Sequence, residues 1–101
     1  MKHRKVILLG REQKNLDKGL ETINAKGIEF ITCTSLEELA KALEFADVDT
    51  VITGAGLPIE IRLEAIRMIY EKSDSISVHM KDFASGPQGF GRFANRVLRN
   101  I

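Results

Sequence analysis

The sequence predicts an α/β fold, a three-layer open parallel sheet with the element order βαβαβαβα. Three observations carry this. Short β-rich apolar stretches recur at 5–10, 28–34, 49–56 and 75–81. The segments between and after them return their apolar residues every three or four positions, the period of an amphipathic helix. Gly or Pro marks most of the junctions. Strands alternating with helices of this length imply parallel pairing through right-handed crossovers.

The elements follow in order. Lys5 to Gly10 is a short apolar run ending in Gly, which suits a strand buried on both faces. From Asn15, a helical face carries Leu16, Leu20 and Ile23, with Gly27 as its C-terminal stop. Residues 28–34, IEFITCT, form a partly alternating second strand. Thr34 with Glu37, or Ser35 with Glu38, then makes a capping box ahead of a helix that repeats Leu36, Leu39, Ala40 and Leu43. Asp49 to Gly56 is a third strand, again nearly all apolar, and Pro58 sits at the first turn of the third helix. That helix repeats apolar residues at Ile59, Leu63, Ile66, Ile69 and Tyr70. Ser75 to Lys81 alternates strictly, with Ile76, Val78 and Met80 on one face and Ser77, His79 and Lys81 on the other, as expected of an edge strand with one wet face. The last helix runs from about Gln88 to Ile101, with Phe90, Phe93, Val97 and Leu98 inward. Apolar strands in the middle and alternating ones at the edges give the order 2-1-3-4. That order reverses between strands 1 and 3, and ligands in open α/β sheets bind at such a reversal, beyond the carboxyl ends of the strands.

With 101 residues the chain has room for one domain, 1–101. A net charge of +1 gives no electrostatic footprint for nucleic acid, so none is expected as a partner. A single cysteine, Cys33, cannot form an internal disulfide, which fits a reducing cytoplasm. The basic start MKHRK is followed by too short an apolar run for a signal peptide, and no stretch approaches the ~20 apolar residues of a spanning helix. The expected setting is cytoplasmic, with no membrane partner.

The third strand running into Leu57-Pro58, and the fourth ending at Lys81, resemble the flavodoxin-like receiver domain of response regulators. The resemblance implies a receiver-like sheet shortened by one βα unit. It does not carry the chemistry. The receiver's metal-holding acidic positions fall on Gly10 and Arg11, with Glu12 the acidic residue there, and its phosphoacceptor aspartate falls on Gly54. Lys81 alone has a counterpart. The tail HMKD-x-ASGP-x-GF is also similar to that of a small uncharacterised bacterial protein family, a resemblance that implies no activity. A His-x-Lys-Asp strand end occurs in sugar isomerase-like barrels too, but those need ~250 residues.

Three stretches are candidates for a site. Thr53 to Pro58, TGAGLP, reads either as a tight strand-to-helix turn needing positive φ or as a loop whose free N–H groups, at Gly54 and Gly56, meet an anion at a helix N-terminus with Arg11 alongside. It matches neither GxGxxG nor a P-loop. Ser85 to Gly89 reads as an N-cap, Ser85 or Gly86, with Pro87 at the first helical position, or as a second anion cradle near Lys81 and Arg92. Gly89 and Gly91 cost a helix start about 1 kcal/mol each, so something close to the backbone should compensate. His79, Lys81 and Asp82 read as a charged edge that discourages unwanted pairing, or as an acid/base pair with a cation for the substrate. Cys33 reads as a small buried hydrophobe. No spacing suits a metal, and no cofactor or catalytic residue is assigned.

Two function classes result. One is a non-catalytic receiver-like interaction or regulatory module that forms a homo-oligomer, or binds a protein partner, through Phe83, Phe90 and Phe93. The other is a domain, enzymatic or not, that binds a small anionic ligand at the carboxyl ends of strands 1 and 3, lined by Arg11, Gly54, Gly56 and Lys81, with His79 as acid or base.

Overall fold

The structure, a computed structural model, describes residues 4–23, 27–45, 47–54, 56–81 and 90–99. The elements are β1 (Arg4–Leu9), α1 (Gln13–Thr22), β2 (Ile28–Cys33), α2 (Leu36–Phe45), β3 (Thr50–Thr53), α3 (Ile59–Lys72), β4 (Ser77–Met80) and α4 (Phe90–Arg99). The four strands form one parallel sheet in the order β2-β1-β3-β4, as the sequence predicts.

The period of two along each strand divides the core into two layers. Ile7, Leu9, Cys33 and Val51 turn to one face, where Leu39 and Leu43 of α2 and Ala65 and Ile69 of α3 cover them. Val6, Leu8 and Ile52 turn to the other, under Leu16 of α1 and Ala94, Val97 and Leu98 of α4. The apolar run of β1 is thus fully buried from Val6 to Leu9, each side chain worth about 1.5–3 kcal/mol of burial. The result is a flavodoxin-like three-layer sandwich with α1 and α4 on one side and α2 and α3 on the other.

Local chemistry sets several boundaries. Ser35 Oγ accepts the N–H of Glu38 at 3.2 Å, and Glu38 Oε1 accepts both the N–H and the hydroxyl of Thr34, at 2.7 and 2.8 Å. Of the two capping boxes the sequence offered, the one using Ser35 and Glu38 forms, with its acid reaching back to Thr34. Asp49 receives the N–H of Lys5 at 2.9 Å and so ties the entry of β3 to β1.

Four expectations are corrected. α1 ends at Thr22, because Ile23 turns to extended backbone (ψ 126°). Gly27 is therefore no helix stop; with φ 73° it bends the chain just ahead of β2, and its carbonyl accepts the Arg4 N–H. Gly56 has no positive φ, so a left-handed backbone is not what places glycine there. α3 buries Ala65 and Ile69, with Ile61 and Met68 packed alongside, whereas Ile59, Leu63 and Tyr70 are exposed by 46%, 55% and 47%. Most of the apolar repeat read from the sequence therefore lies on the wrong side for the core. Finally, the polar face of β4 is not wet. Lys81 is buried, with 1% exposure, and His79 is half-buried on the layer that α1 and α4 cover, whereas Met80 on the opposite face is 37% exposed.

Candidate functional site

The carboxyl ends of the strands are held level by a line of backbone hydrogen bonds. The Gly10 N–H donates to Cys33 O at 3.0 Å, the Gly54 N–H to Leu9 O at 2.8 Å, and the Lys81 N–H to Thr53 O at 3.0 Å. From this line the chain leaves β1 toward α1 on one face and β3 toward α3 on the other, which is the order reversal that opens a crevice. Arg11 and Gly56 meet across it. A Cβ placed on Gly56 would lie 3.5 Å from Arg11 Cβ. Gly10 is confined more tightly, since a Cβ there would stand 2.8 Å from Leu16 Cδ2. Glycine at position 10 thus leaves room for the Leu16 side chain, which would have to shift for any larger residue.

Arg11 is exposed, Gly54 half-buried, and Lys81 buried at the end of β4. The described fold therefore brings Arg11, Gly54, Gly56 and Lys81 to one end of the sheet. His79 sits one layer in, opposite Ile52 in the register, and its Nε2 is buried with no hydrogen-bond partner among the described residues. Phe93 packs against the core layer formed with Val6, Leu8 and Ala94, so part of its surface already belongs to this chain. Ser85, Gly86, Phe83, Asp82, Gly89 and the side chain of Phe90 lie outside the described residues.

Two features were not foreseen. Thr53 is fully buried at the carboxyl end of the central strand β3, and its Oγ1 has no partner among the described residues. The sequence held a signal for it, a hydroxyl residue closing an otherwise apolar strand. The second is the outward apolar stripe of α3, whose residues were read from the sequence but assigned to the core.

Burial pushes the Cys33 thiol up to about 11, with the nearby Glu38 carboxylate adding to the effect, so Cys33 is a neutral, inert thiol at ordinary pH. Glu38 is held below the usual carboxylate value by the Thr34 N–H, then the Thr34 hydroxyl and the charge of Lys41. A cavity of about 230 Å³ opens at the opposite, amino end of the sheet, where Leu43, Val48 and Ile76 line it together with Asp47, Asp49 and Lys72. None of the predicted site residues lines it. Among the described residues no cluster of three or more His, Cys, Asp or Glu is placed to hold a metal. No described helix is long and apolar enough to cross a membrane.

Comparison with protein-family models, with curated proteins and with solved structures gave no match. A functional reading of the chain therefore rests on its own geometry and chemistry.

Proposed function

We propose that the chain is a non-catalytic, receiver-like interaction or regulatory module that works by self-association. The observation that carries this reading is α3. A helix covering a sheet needs one apolar stripe. α3 has two, one packed on the core and one, Ile59, Leu63 and Tyr70, about half exposed. A contiguous apolar patch on a small domain marks a contact surface more often than scattered exposure does. The receiver-like frame supports a module without phosphotransfer, because Gly10, Arg11 and Gly54 stand where that chemistry needs carboxylates. Light scattering on the full chain tests the reading. A dimer is expected at about 200 μM, and a monomer at that concentration overturns it.

Thr53 favours a second reading, a small anionic ligand at the carboxyl ends of β1 and β3. A buried hydroxyl with no partner costs about 1–3 kcal/mol, and a ligand oxygen that reached Thr53 Oγ1 would relieve such a cost. Thermal shift with inorganic phosphate, nucleotides and small carboxylates tests this. A ligand at a hundred times its dissociation constant adds about 2.7 kcal/mol of stability. No shift with any of them at millimolar concentration removes the reading.

A further inference from the structure

Self-association leaves open which surface meets the second copy. Resting on that reading, we infer that the outer edge of β4 and the outward stripe of α3 form the contact. β4 pairs antiparallel with β4 of a second copy, about a two-fold axis perpendicular to the sheet, and the two α3 helices pack beside it.

The backbone of β4 supports this first. The N–H groups of Ser77 and Lys81 donate inward, to Asp49 O and Thr53 O of the β3 side. The alternation of a strand then turns the N–H and C=O of Val78 and Met80 outward. β4 is last in the sheet order, so among the described residues no strand accepts them. Natural edges are guarded by charge, proline or a bulge. Ser77–Met80 carries no proline, Asp, Glu, Lys or Arg, and Lys81, the residue that looked like the guard, is 1% exposed.

The direction of the α3 stripe agrees. Ile59, Leu63, Ile66 and Tyr70 recur at i, i+4, i+7 and i+11, one narrow face at about 100° per residue. On the same wheel Ala65 and Ile69 face the sheet, while Met68, Glu71 and Lys72 border the groove against α2. The stripe lies roughly opposite the α2 side. It therefore points sideways, past the β4 edge. Met80 joins it, because the register places Met80 with Thr53 on the α3 face of the sheet. A two-fold axis perpendicular to the sheet keeps both α3 helices on the same face and brings their stripes together.

The exposed apolar residues supply about half of the area that such a contact needs. Ile59, Leu63, Tyr70 and Met80, exposed by 46%, 55%, 47% and 37%, offer roughly 400 Å² of apolar surface per copy. A specific interface takes about 800 Å² per partner. In the proposed dimer the remainder would have to come from the edge strand and from the residues flanking the stripe, such as Glu60 and Arg67.

The test uses the full chain. Light scattering of the wild type is expected to show a dimer. Leu63→Glu and Met80→Pro are each expected to raise the dissociation constant at least about tenfold, with an unchanged far-ultraviolet circular dichroism spectrum. Met80→Pro removes an outward N–H and leaves the β3 ladder intact. Phe45→Glu, at the 81% exposed Phe45 of α2, is expected to stay dimeric. Amide exchange in the wild type provides a readout independent of any variant. Val78 and Met80 are expected to exchange about tenfold more slowly in concentrated than in dilute protein. A wild-type dimer that survives Leu63→Glu or Met80→Pro, dissociates in Phe45→Glu, or exchanges both amides at the same rate on dilution overturns this surface and leaves self-association standing. A monomeric wild type overturns both.

Discussion

Replacing Thr53 by valine exchanges a buried hydroxyl for a methyl of nearly the same size, in a place where the hydroxyl does nothing for the described fold. Thr53 is fully buried and its Oγ1 has no partner among the described residues. Leaving such a group unsatisfied costs about 1–3 kcal/mol, and the incoming methyl gains about 0.8 kcal/mol of burial. Both changes have the same sign. Valine also suits a central strand at least as well as threonine. Thr53→Val is therefore expected to stabilise the domain by about 1 kcal/mol or more, which in a chain of this size raises Tm by about 4–8 °C. Calorimetry measures the shift, and urea melts with an unchanged m-value confirm that folding stays two-state. Thr50→Val in the same strand is the matched control. Thr50 Oγ1 lies 3.0 Å from Ser77 Oγ, so valine there breaks a hydrogen bond and is expected to cost about 1 kcal/mol. If Thr53→Val melts below the wild type, the Thr53 hydroxyl has a partner that the fold depends on, and the premise of an unsatisfied group is refuted. If it melts higher and also loses stabilisation by phosphate, the hydroxyl belongs to the anion site.

Other positions give sharp contrasts. Gly10→Ala is expected to cost about 1–3 kcal/mol in urea denaturation, because the new methyl would stand 2.8 Å from Cδ2 of Leu16, itself buried. Gly56→Ala is expected to stay within about 0.5 kcal/mol of the wild type, since it meets Arg11 Cβ at an ordinary 3.5 Å. Glu38 is held below its usual value of 4.5, so its contribution is present above that pH and is lost as pH falls through the lower folded value. The urea midpoint of the wild type should therefore fall more steeply below pH 4.5 than that of Glu38→Gln, and equal slopes would remove the cap from the acid response. Cys33 ionises near 11 rather than 9.0, so stability linked to it is full below pH 9 and declines as pH rises toward 11. Labelling of native Cys33 at about pH 8 by a thiol-reactive disulfide should run at least about a hundredfold slower than in the unfolded chain.

The architecture was legible because it depends on periods, and periods survive in a single sequence. Val6 to Leu9 suits a strand buried on both faces, and β3 between Thr50 and Thr53 repeats the pattern, so the strand order followed from which runs were continuous. What the sequence misassigned is which of two apolar faces meets the core. α3 carries Ile59, Leu63, Ile66 and Tyr70 on one side and Ile61, Ala65, Met68 and Ile69 on the other, and the spacing rule matches both. Packing chose the second set, in which Ala65 and Ile69 are fully buried in the core layer that also holds Val51 and Leu9. The first set contains the bulkier, more conspicuous residues, and these are the ones left outside. β4 reverses its expectation by the same logic. The alternation of Ile76, Val78 and Met80 with Ser77, His79 and Lys81 is real, but helical layers lie on both sides of the sheet, so polarity alone does not decide which face of this edge strand meets water. Lys81 and His79 are thus covered, while Met80 faces out beside α3. Hydropathy predicts which face is apolar. It does not predict which apolar face has a neighbour, because that is decided by the remainder of the fold or by another molecule. The two conspicuous mismatches, exposed Leu63 and exposed Met80, fall on the same flank of the domain. Misassignments caused by propensity alone would scatter. Two that converge on one edge are what the proposed β4–α3 contact would produce, and the dilution experiment on the full chain decides whether it forms.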